Sequence, residues 1–220
     1  MKHNLWHFGD SFAYTQTKSF AQYIADEYNL NYFYLAESGS SNEQIFQKIL
    51  TNLHKPKSGD LIIINFSYFT RYATLNPGGN IISTNKFFNE ESFELTNEGI
   101  LFYKNNGTVL LDYFNMFNYE YNMKLFKSIN LILEYLVNNG VDLYTIPIFK
   151  HNLNFGNKLI NSDNYGFKIK NELLFESSYY EFLVNKNWKN EEDGHYTNNI
   201  QKELSNEYMV RIEKLKNNLI

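Results

Sequence analysis

The fold class is decided by residues 61–66, which have the sequence Leu61-Ile62-Ile63-Ile64-Asn65-Phe66. A continuous β-branched run of this kind is typical of a strand buried on both faces, because a half-exposed strand would alternate apolar and polar residues. Strands buried on both faces are characteristic of parallel sheets that helices cover on each side. We therefore predict a central parallel strand here, preceded by a turn at Lys57-Ser58-Gly59-Asp60.

Strand and helix patterns alternate around this central strand. Short apolar stretches predict further strands at Asn4–Phe8, Asn31–Ala36 and Val141–Ile148. Apolar residues at helical spacing predict helices over Phe20–Tyr28, Asn42 to about His54, Phe114 to Leu136 with an end at Asn138-Asn139-Gly140, and Thr197–Lys216. Asn42 is the predicted cap of the second helix, and Thr197 or Asn198 that of the last. This order predicts an α/β sandwich with a mostly parallel sheet.

Length and composition fit one folded domain. The chain has 220 residues, which is the usual size of a single domain, and its 43% apolar and 18% aromatic residues supply ample material for a core. Residues 76–118 break the pattern with Pro77-Gly78-Gly79, short aromatic runs and polar turns, which indicates an insertion carrying a hairpin. We predict one domain over residues 1–220 with this insertion; residues 150–190 show only a helical pattern at about 171–183.

Charge and hydropathy exclude several classes of partner. The formal charge is −4 and no block of Lys and Arg occurs, so we expect no nucleic-acid partner. Neither a run of about 18 apolar residues nor a secretory signal pattern is present. We therefore expect no membrane partner, and a location in the cytoplasm or in a virion or surface assembly.

Residue types also limit the chemistry of a site. The chain has no Cys, which excludes disulfides, thiolate metal ligands and cysteine nucleophiles. Most of its histidines are scattered without helical pairing or a nearby carboxylate cluster, namely His3, His7, His54 and His151. We expect no metal site and no cofactor.

Polar segments follow the predicted strands. In an open parallel sheet, ligands bind outside the carboxyl ends of the strands, near the point where strand order reverses. Three such ends are followed by Gly9-Asp10-Ser11, by Ser38-Gly39-Ser40-Ser41-Asn42, and by Ser67 to Arg71. A fourth polar segment, Asp193-Gly194-His195, precedes the last helix. We predict that the functional site lies at this edge of the sheet.

Ser11 and His195 have the chemistry of a nucleophile and its base. Ser11 follows a glycine that permits a tight turn and precedes a helix, so backbone N–H groups are expected beside its hydroxyl. Serine is weakly nucleophilic until a base takes its proton, and an imidazole with an ordinary pKa of about 6.5 suits that role. A carboxylate from Asp193 or Glu192 would hold the His195 tautomer and stabilise the imidazolium.

Three segments resemble the SGNH (GDSL-type) hydrolases. Trp6-His7-Phe8-Gly9-Asp10-Ser11-Phe12 resembles the first block of that family, Gly39 its second-block glycine, and Asp193-Gly194-His195-Tyr196-Thr197 its fifth block. The resemblance covers residues 6 to about 210, in the family's order. It implies a flavodoxin-like three-layer α/β/α sandwich and hydrolysis of an ester, often an acetyl ester, at Ser11. It also implies Ser11, Asp193 and His195 as the triad, with the N–H groups of Ser11 and Gly39 holding the oxyanion.

The third block departs from the family pattern. Family members commonly have Gly-x-Asn-Asp after the third strand, whereas this chain has Asn65-Phe66-Ser67-Tyr68-Phe69-Thr70-Arg71. The candidates for the missing oxyanion donor are Ser67, Arg71, and Asn65 after a shift in register. The commoner family spacing of acid and base, Asp-x-x-His, favours Glu192, while we prefer Asp193 in a variant spacing.

The sequence thus predicts a serine esterase that acts on a small acyl ester of a small molecule or glycan. Asn42 and Arg71 are the candidates for substrate binding. The oligomeric state stays open. Two alternatives remain: a weak or inactive SGNH-fold binding or structural module of a surface or virion assembly, which the broken third block favours, and an O-acyltransferase.

Overall fold

The structure is a computed structural model. It describes residues 2–9, 18–37, 40–66, 73–75, 81–83, 124–125, 127–146, 153–155, 158–160 and 198–217. The strands are β1 (Asn4–Gly9), β2 (Asn31–Ala36), β3 (Leu61–Asn65), β4 (Ala73–Leu75), β5 (Ile81–Ser83), β6 (Asp142–Ile146), β7 (Leu153–Phe155) and β8 (Lys158–Ile160). The helices are α1 (Phe20–Glu27), α2 (Asn42–Asn52), α3 (127–138) and α4 (Asn198–Lys216).

The central sheet has four parallel strands in the order β2-β1-β3-β6. The register aligns Phe8 with Leu35 on one side and with Ile64 on the other. Strands β1 and β3 are therefore the inner strands, as the apolar run at residues 61–66 predicts. Because the chain moves from β1 to β2 on one side and then crosses to β3 on the other, the strand order reverses between β1 and β3.

Helices cover both faces of this sheet. Alternate residues of β1 and β3 face α1 and α4, and this layer includes Leu5, Ile63, Ile24, Leu204 and Tyr208. The intervening residues face α2 and α3, and this second layer includes Phe8, Ile62, Ile45, Leu133 and Leu136. The predicted three-layer α/β/α fold with a parallel sheet is confirmed.

A buried carboxylate joins the amino ends of the inner strands. Asp60 accepts hydrogen bonds from the Asn4 backbone N–H at 2.9 Å, the Trp6 indole N–H at 3.0 Å and the Lys57 backbone N–H at 3.1 Å. Burial alone would raise the pKa of Asp60, but these donors together with the Asn4 side-chain amide lower it. Asp60 therefore stabilises the turn before β3 as a charged acceptor.

Some predicted boundaries differ from the observed ones. Strand β1 continues one residue further, to Gly9, and α2 ends at Asn52 rather than near His54. The predicted end of α3 at Asn138-Asn139-Gly140 is confirmed, with Gly140 in the left-handed region at φ +79°. Strand β6 begins at Asp142, one residue later than predicted.

Two antiparallel strand pairs lie outside the central sheet. Strands β4 and β5 pair around the start of the predicted insertion, and β7 pairs with β8 in a region that gave no strand pattern. The rest of the insertion (84–118) and the predicted helix at about 171–183 lie outside the described residues. Within the described ranges, no helix has the length and apolar character needed to cross a bilayer.

Candidate active site

The carboxyl ends of the four parallel strands meet at one edge of the sheet. The Glu37 backbone N–H donates to the carbonyl of Gly9 at 3.1 Å, which joins the ends of β2 and β1. The Phe66 backbone N–H donates to the carbonyl of Ile146 at 3.0 Å, which joins the ends of β3 and β6. Gly9 ends β1 and Phe66 directly follows β3, and the strand order reverses between these two strands. Ligands of open parallel sheets bind at this position.

Helices α1 and α4 both begin at this edge. The Phe20 N–H, in the first turn of α1, donates to Gln201 Oε1, in the first turn of α4, at 2.9 Å. At the other end, the Tyr28 hydroxyl donates to Glu213 at 2.9 Å, and Lys216 lies 3.7 Å from Asp142 at the start of β6. Helix α4 therefore runs antiparallel to the strands and starts beside α1 at the carboxyl edge.

Helix α2 also begins at this edge, with Ser41 as its cap. The Ser41 hydroxyl accepts from the Gln44 backbone N–H at 3.4 Å, and Gln44 Oε1 accepts from the Ser41 N–H at 2.8 Å. This reciprocal pair is a capping box. The prediction of Asn42 as the cap is wrong, since Asn42 is the first helical residue and is buried. The Ser-x-x-Gln spacing in the sequence was the signal for the correct cap.

A buried polar chain lies below the edge, on the face that α1 covers. His7 Nε2 lies 2.9 Å from Asn65 Oδ1, and His7 Nδ1 lies 3.0 Å from the Tyr32 hydroxyl. The Tyr32 hydroxyl lies 2.8 Å from the hydroxyl of Ser19, which caps α1 by accepting from the Gln22 N–H. These contacts connect β3, β1, β2 and the start of α1.

Only one assignment of donors and acceptors fits the hydrogen bonds of this buried polar chain. Asn65 Oδ1 can only accept, so His7 Nε2 carries the proton and donates to it. His7 Nδ1 then accepts from Tyr32, and the Tyr32 oxygen accepts from the Ser19 hydroxyl. Burial lowers the pKa of His7 to about 4 although the Asn65 bond opposes this shift, and burial raises the pKa of Tyr32. Both side chains are therefore neutral near pH 7.

These linked hydrogen bonds were not predicted. His7 was grouped with scattered histidines, yet its side chain is fully buried and bonded at both ring nitrogens. The available signal was a single imidazole inside an otherwise apolar strand. A buried polar group of that kind requires partners.

Two further polar atoms at this edge are buried. Ser40 Oγ, after β2, and Gln201 Nε2, in the first turn of α4, have no hydrogen-bond partner among the described residues. Buried polar atoms without a protein partner are uncommon and are often satisfied by water or a ligand. Across the described residues, no group of three or more His, Asp or Glu side chains is suited to hold a metal ion.

Only some of the predicted site residues belong to the described part of the chain. Asn42 and Asn65 are both buried, and Asn65 binds His7 as stated above. The remaining predicted residues lie outside the described residues; they are Ser11, Gly39, Ser67, Arg71, Glu192, Asp193 and His195. Their sequence neighbours Gly9 and Asn198 end β1 and begin α4.

Comparison with solved structures found similar chains. A protein described as a GDSL-like lipase from Parabacteroides merdae is 12% identical, with a TM-score of 0.45 and 96% of each chain covered. The lipase/acylhydrolase from Enterococcus faecalis is 10% identical, with a TM-score of 0.46, covering 98% of this chain and 96% of its own. A lipolytic protein of the G-D-S-L family from Desulfitobacterium hafniense is 11% identical, with a TM-score of 0.41, covering 96% of this chain and 99% of its own.

These descriptions name the family that the sequence motifs resemble. No protein-family profile matches the chain, and no curated protein sequence matches it significantly. The three chains share only 10–12% of their residues with this protein.

Proposed function

We propose that the protein is a serine esterase of the SGNH type, with Ser11 as nucleophile, His195 as base and Asp193 as the carboxylate that orients His195. The observation that carries the proposal is the hydrogen bond from the Phe20 N–H to Gln201 Oε1 at 2.9 Å. It joins the start of α1 to the start of α4 at the carboxyl edge. These two starts follow the segments that contain Ser11 and His195.

Chain length supports a common location for the two residues. Ser11 comes two residues after Gly9, which ends β1, and His195 comes three residues before Asn198, which begins α4. Three residues reach at most about 11 Å even when fully extended. On this ground we propose that both residues lie near the carboxyl edge of the sheet, the usual ligand position in such sheets.

The reaction follows from these roles. Ser11 Oγ attacks the acyl carbonyl carbon while His195 accepts the hydroxyl proton, and the alkoxy group of the ester leaves with that proton as an alcohol. Water then attacks the acyl-enzyme, His195 accepts a proton from the water, and the carboxylic acid leaves as Ser11 regains its proton. Asp193 stabilises the imidazolium in both steps, with Glu192 as the alternative carboxylate.

The developing oxyanion needs donors aimed at one point. The backbone N–H groups of Ser11 and Gly39 are the proposed pair, with Ser67 or Asn65 as the third donor. Donors of this kind contribute about 10²–10³ each in turnover. Asn42 and Arg71 are proposed to contact the rest of the substrate.

We assign the substrate to small acyl esters, with an acetyl group on a carbohydrate as the favoured case. An amphipathic interfacial helix is a common means by which peripheral enzymes bind a membrane surface. The sequence shows no such helix and no long apolar lid. The partner we propose is therefore a small-molecule or glycan ester.

Turnover by the wild type and by Ser11→Ala tests this function. We expect the wild type to hydrolyse short-chain aryl esters or acetylated glycans, and Ser11→Ala to lose this activity. Ser58→Ala is the matched control, because Ser58 is exposed in the turn before β3, at the opposite edge of the sheet. Absence of turnover at saturating concentrations of both substrate types, or turnover that survives in Ser11→Ala, would overturn the proposal.

The departure in the third block favours a second candidate, a non-catalytic SGNH-fold binding or structural module. The side-chain amide oxygen of Asn65, Oδ1, accepts from His7 below the edge, and Asn65 is only 1% exposed. A fluorophosphonate probe separates the two functions, since only an activated Ser11 reacts with it. An O-acyltransferase would also react, and it is distinguished by an acylated product that forms only when a sugar acceptor is present.

A further inference from the structure

The segment that contains Ser11 has two described ends. It leaves the sheet at Gly9, the last residue of β1, and enters α1 at the cap residue Ser19. His7 is two residues before the first end, with its side chain on the face that α1 covers.

The buried polar chain connects both ends of this segment. His7 and Tyr32 are joined at 3.0 Å, and Tyr32 and Ser19 at 2.8 Å. The Ser19 hydroxyl also accepts from the Gln22 N–H, so the same oxygen starts α1 and binds Tyr32. The tyrosine hydroxyl is thus the bridge between the strand before Ser11 and the helix after it.

The imidazole also contacts the first residue of α1 directly. The rings of His7 and Phe20 pack edge to face with centroids 5.2 Å apart. The Phe20 N–H in turn donates to Gln201 in the first turn of α4. The position of His7 is therefore coupled through Phe20 to the helix that follows His195.

We infer that His7 is a positioning residue for the nucleophile: through Tyr32, Ser19 and Phe20 it fixes both ends of the Ser11 segment relative to the start of α4. This inference rests on the proposed function. His7 and Tyr32 lie on the strands below the edge, so their role is to hold the geometry in which Ser11 and His195 meet. Small displacements of reacting groups have large effects on rate, which makes such a role measurable.

Tyr32→Phe tests the inference with the smallest change. It removes the bridging hydroxyl and keeps the ring. We expect kcat, and the rate of Ser11 modification by a fluorophosphonate, to fall about tenfold, because a small misplacement of the reacting groups raises the activation barrier. The KM should stay near the wild-type value, because the bridge lies below the site and does not contact substrate.

Tyr28→Phe is the matched control. It removes a tyrosine hydroxyl that donates to Glu213 at 2.9 Å, at the opposite end of α1. We expect wild-type kcat in this variant. Folded fraction is measured for both variants by urea titration, so that rates are compared between folded proteins.

Two substitutions of His7 separate positioning from packing. His7→Asn keeps an acceptor near the position of Nδ1, whereas His7→Ala keeps neither that acceptor nor the imidazole ring. We expect His7→Asn to retain clearly more of the modification rate than His7→Ala at equal folded fraction. Equal rates in these two variants would overturn the inference.

The outcomes also separate this inference from the proposed function. A wild type that reacts at Ser11, with Tyr32→Phe reacting at the same rate, would overturn the positioning role alone. A wild type that does not react at Ser11 would overturn the proposed function and the positioning role together.

Discussion

His7 Nε2 donates a hydrogen bond to Asn65 Oδ1 over 2.9 Å, and this contact joins the two strands between which the sheet reverses its order. Both side chains are almost completely buried, at 0% and 1% exposed. The second imidazole nitrogen accepts from Tyr32. Once protonated, that nitrogen can no longer accept from Tyr32, and a positive charge lies in the core.

Stability is therefore expected to fall in mild acid. Burial lowers the pKa of His7 from 6.5 to about 4, so the unfolded chain takes up this proton at a higher pH than the folded protein does. The contribution of neutral His7 is complete above pH 6.5 and is lost as the pH falls from 6.5 to about 4. Its full size is about 3 kcal/mol. Urea unfolding between pH 4 and pH 7 measures it.

His7→Gln provides the control for this titration. Glutamine keeps a donor for Asn65 and has no proton to gain in this range, so the free energy of unfolding should depend less on pH than in the wild type. The same pH dependence in both proteins would show that His7 is not the group that titrates.

Removal of the Asp60 carboxylate should be among the more damaging single changes. Asp60→Ala leaves the buried indole N–H of Trp6 and the part-buried backbone N–H groups of Asn4 and Lys57 without their acceptor. We expect a loss of about 3 kcal/mol in the free energy of unfolding, with a change in the fluorescence of Trp6. Asp142→Ala is the control, because this exposed carboxylate lies 3.7 Å from Lys216 and such surface pairs contribute less than about 1 kcal/mol. Equal losses in both variants would contradict the stabilising role of Asp60 at the amino ends of the strands.

The α2 cap makes a smaller contribution. Ser41→Ala removes the acceptor of the Gln44 N–H at the carboxyl edge. We expect a loss of about 1 kcal/mol, measured by urea unfolding. In Thr51→Ala, which changes an exposed hydroxyl in the last turn of the same helix, the loss should be much smaller. A larger loss for Thr51→Ala would argue against the capping box.

Ser67 is expected to contribute more to turnover than Asn65. The Asn65 side chain is buried and its carbonyl oxygen is bonded to His7, so it is packed below the edge. Ser67→Ala should lower kcat by about 10²-fold or more, the usual effect of losing one oxyanion donor. Ser58→Ala should leave kcat unchanged. A Ser67→Ala enzyme with wild-type kcat would exclude Ser67 as the third donor.

The layers of this fold could be predicted because their signals are local. The apolar run at residues 61–66 predicts an inner parallel strand, and Asn31–Ala36 was predicted with its observed bounds. Asn138-Asn139-Gly140 predicts the end of α3, because a helix often ends at a residue with left-handed backbone angles. Gly140 has that conformation. Each of these signals depends on side chains within a few positions of one another.

The hydrogen bonds of His7 could not be predicted, because its partners are distant in sequence. Tyr32 is 25 positions away and Asn65 is 58 positions away. No local spacing relates them, and only the pairing of β1 with both β2 and β3 brings them together. Gln201 is a similar case, since its bond to Phe20 spans 181 positions. The predicted catalytic side chains at Ser11, Asp193 and His195 stay a sequence prediction.

The central claim is that Ser11 is a nucleophile activated by His195, and covalent modification tests it most directly. The native protein would be treated with a fluorophosphonate, and the modified residue identified by mass spectrometry. We expect one label per chain, on Ser11, with little or no label after His195→Ala or after unfolding in urea. An unlabelled native protein, or a label on Ser11 that forms equally fast in His195→Ala, would contradict it.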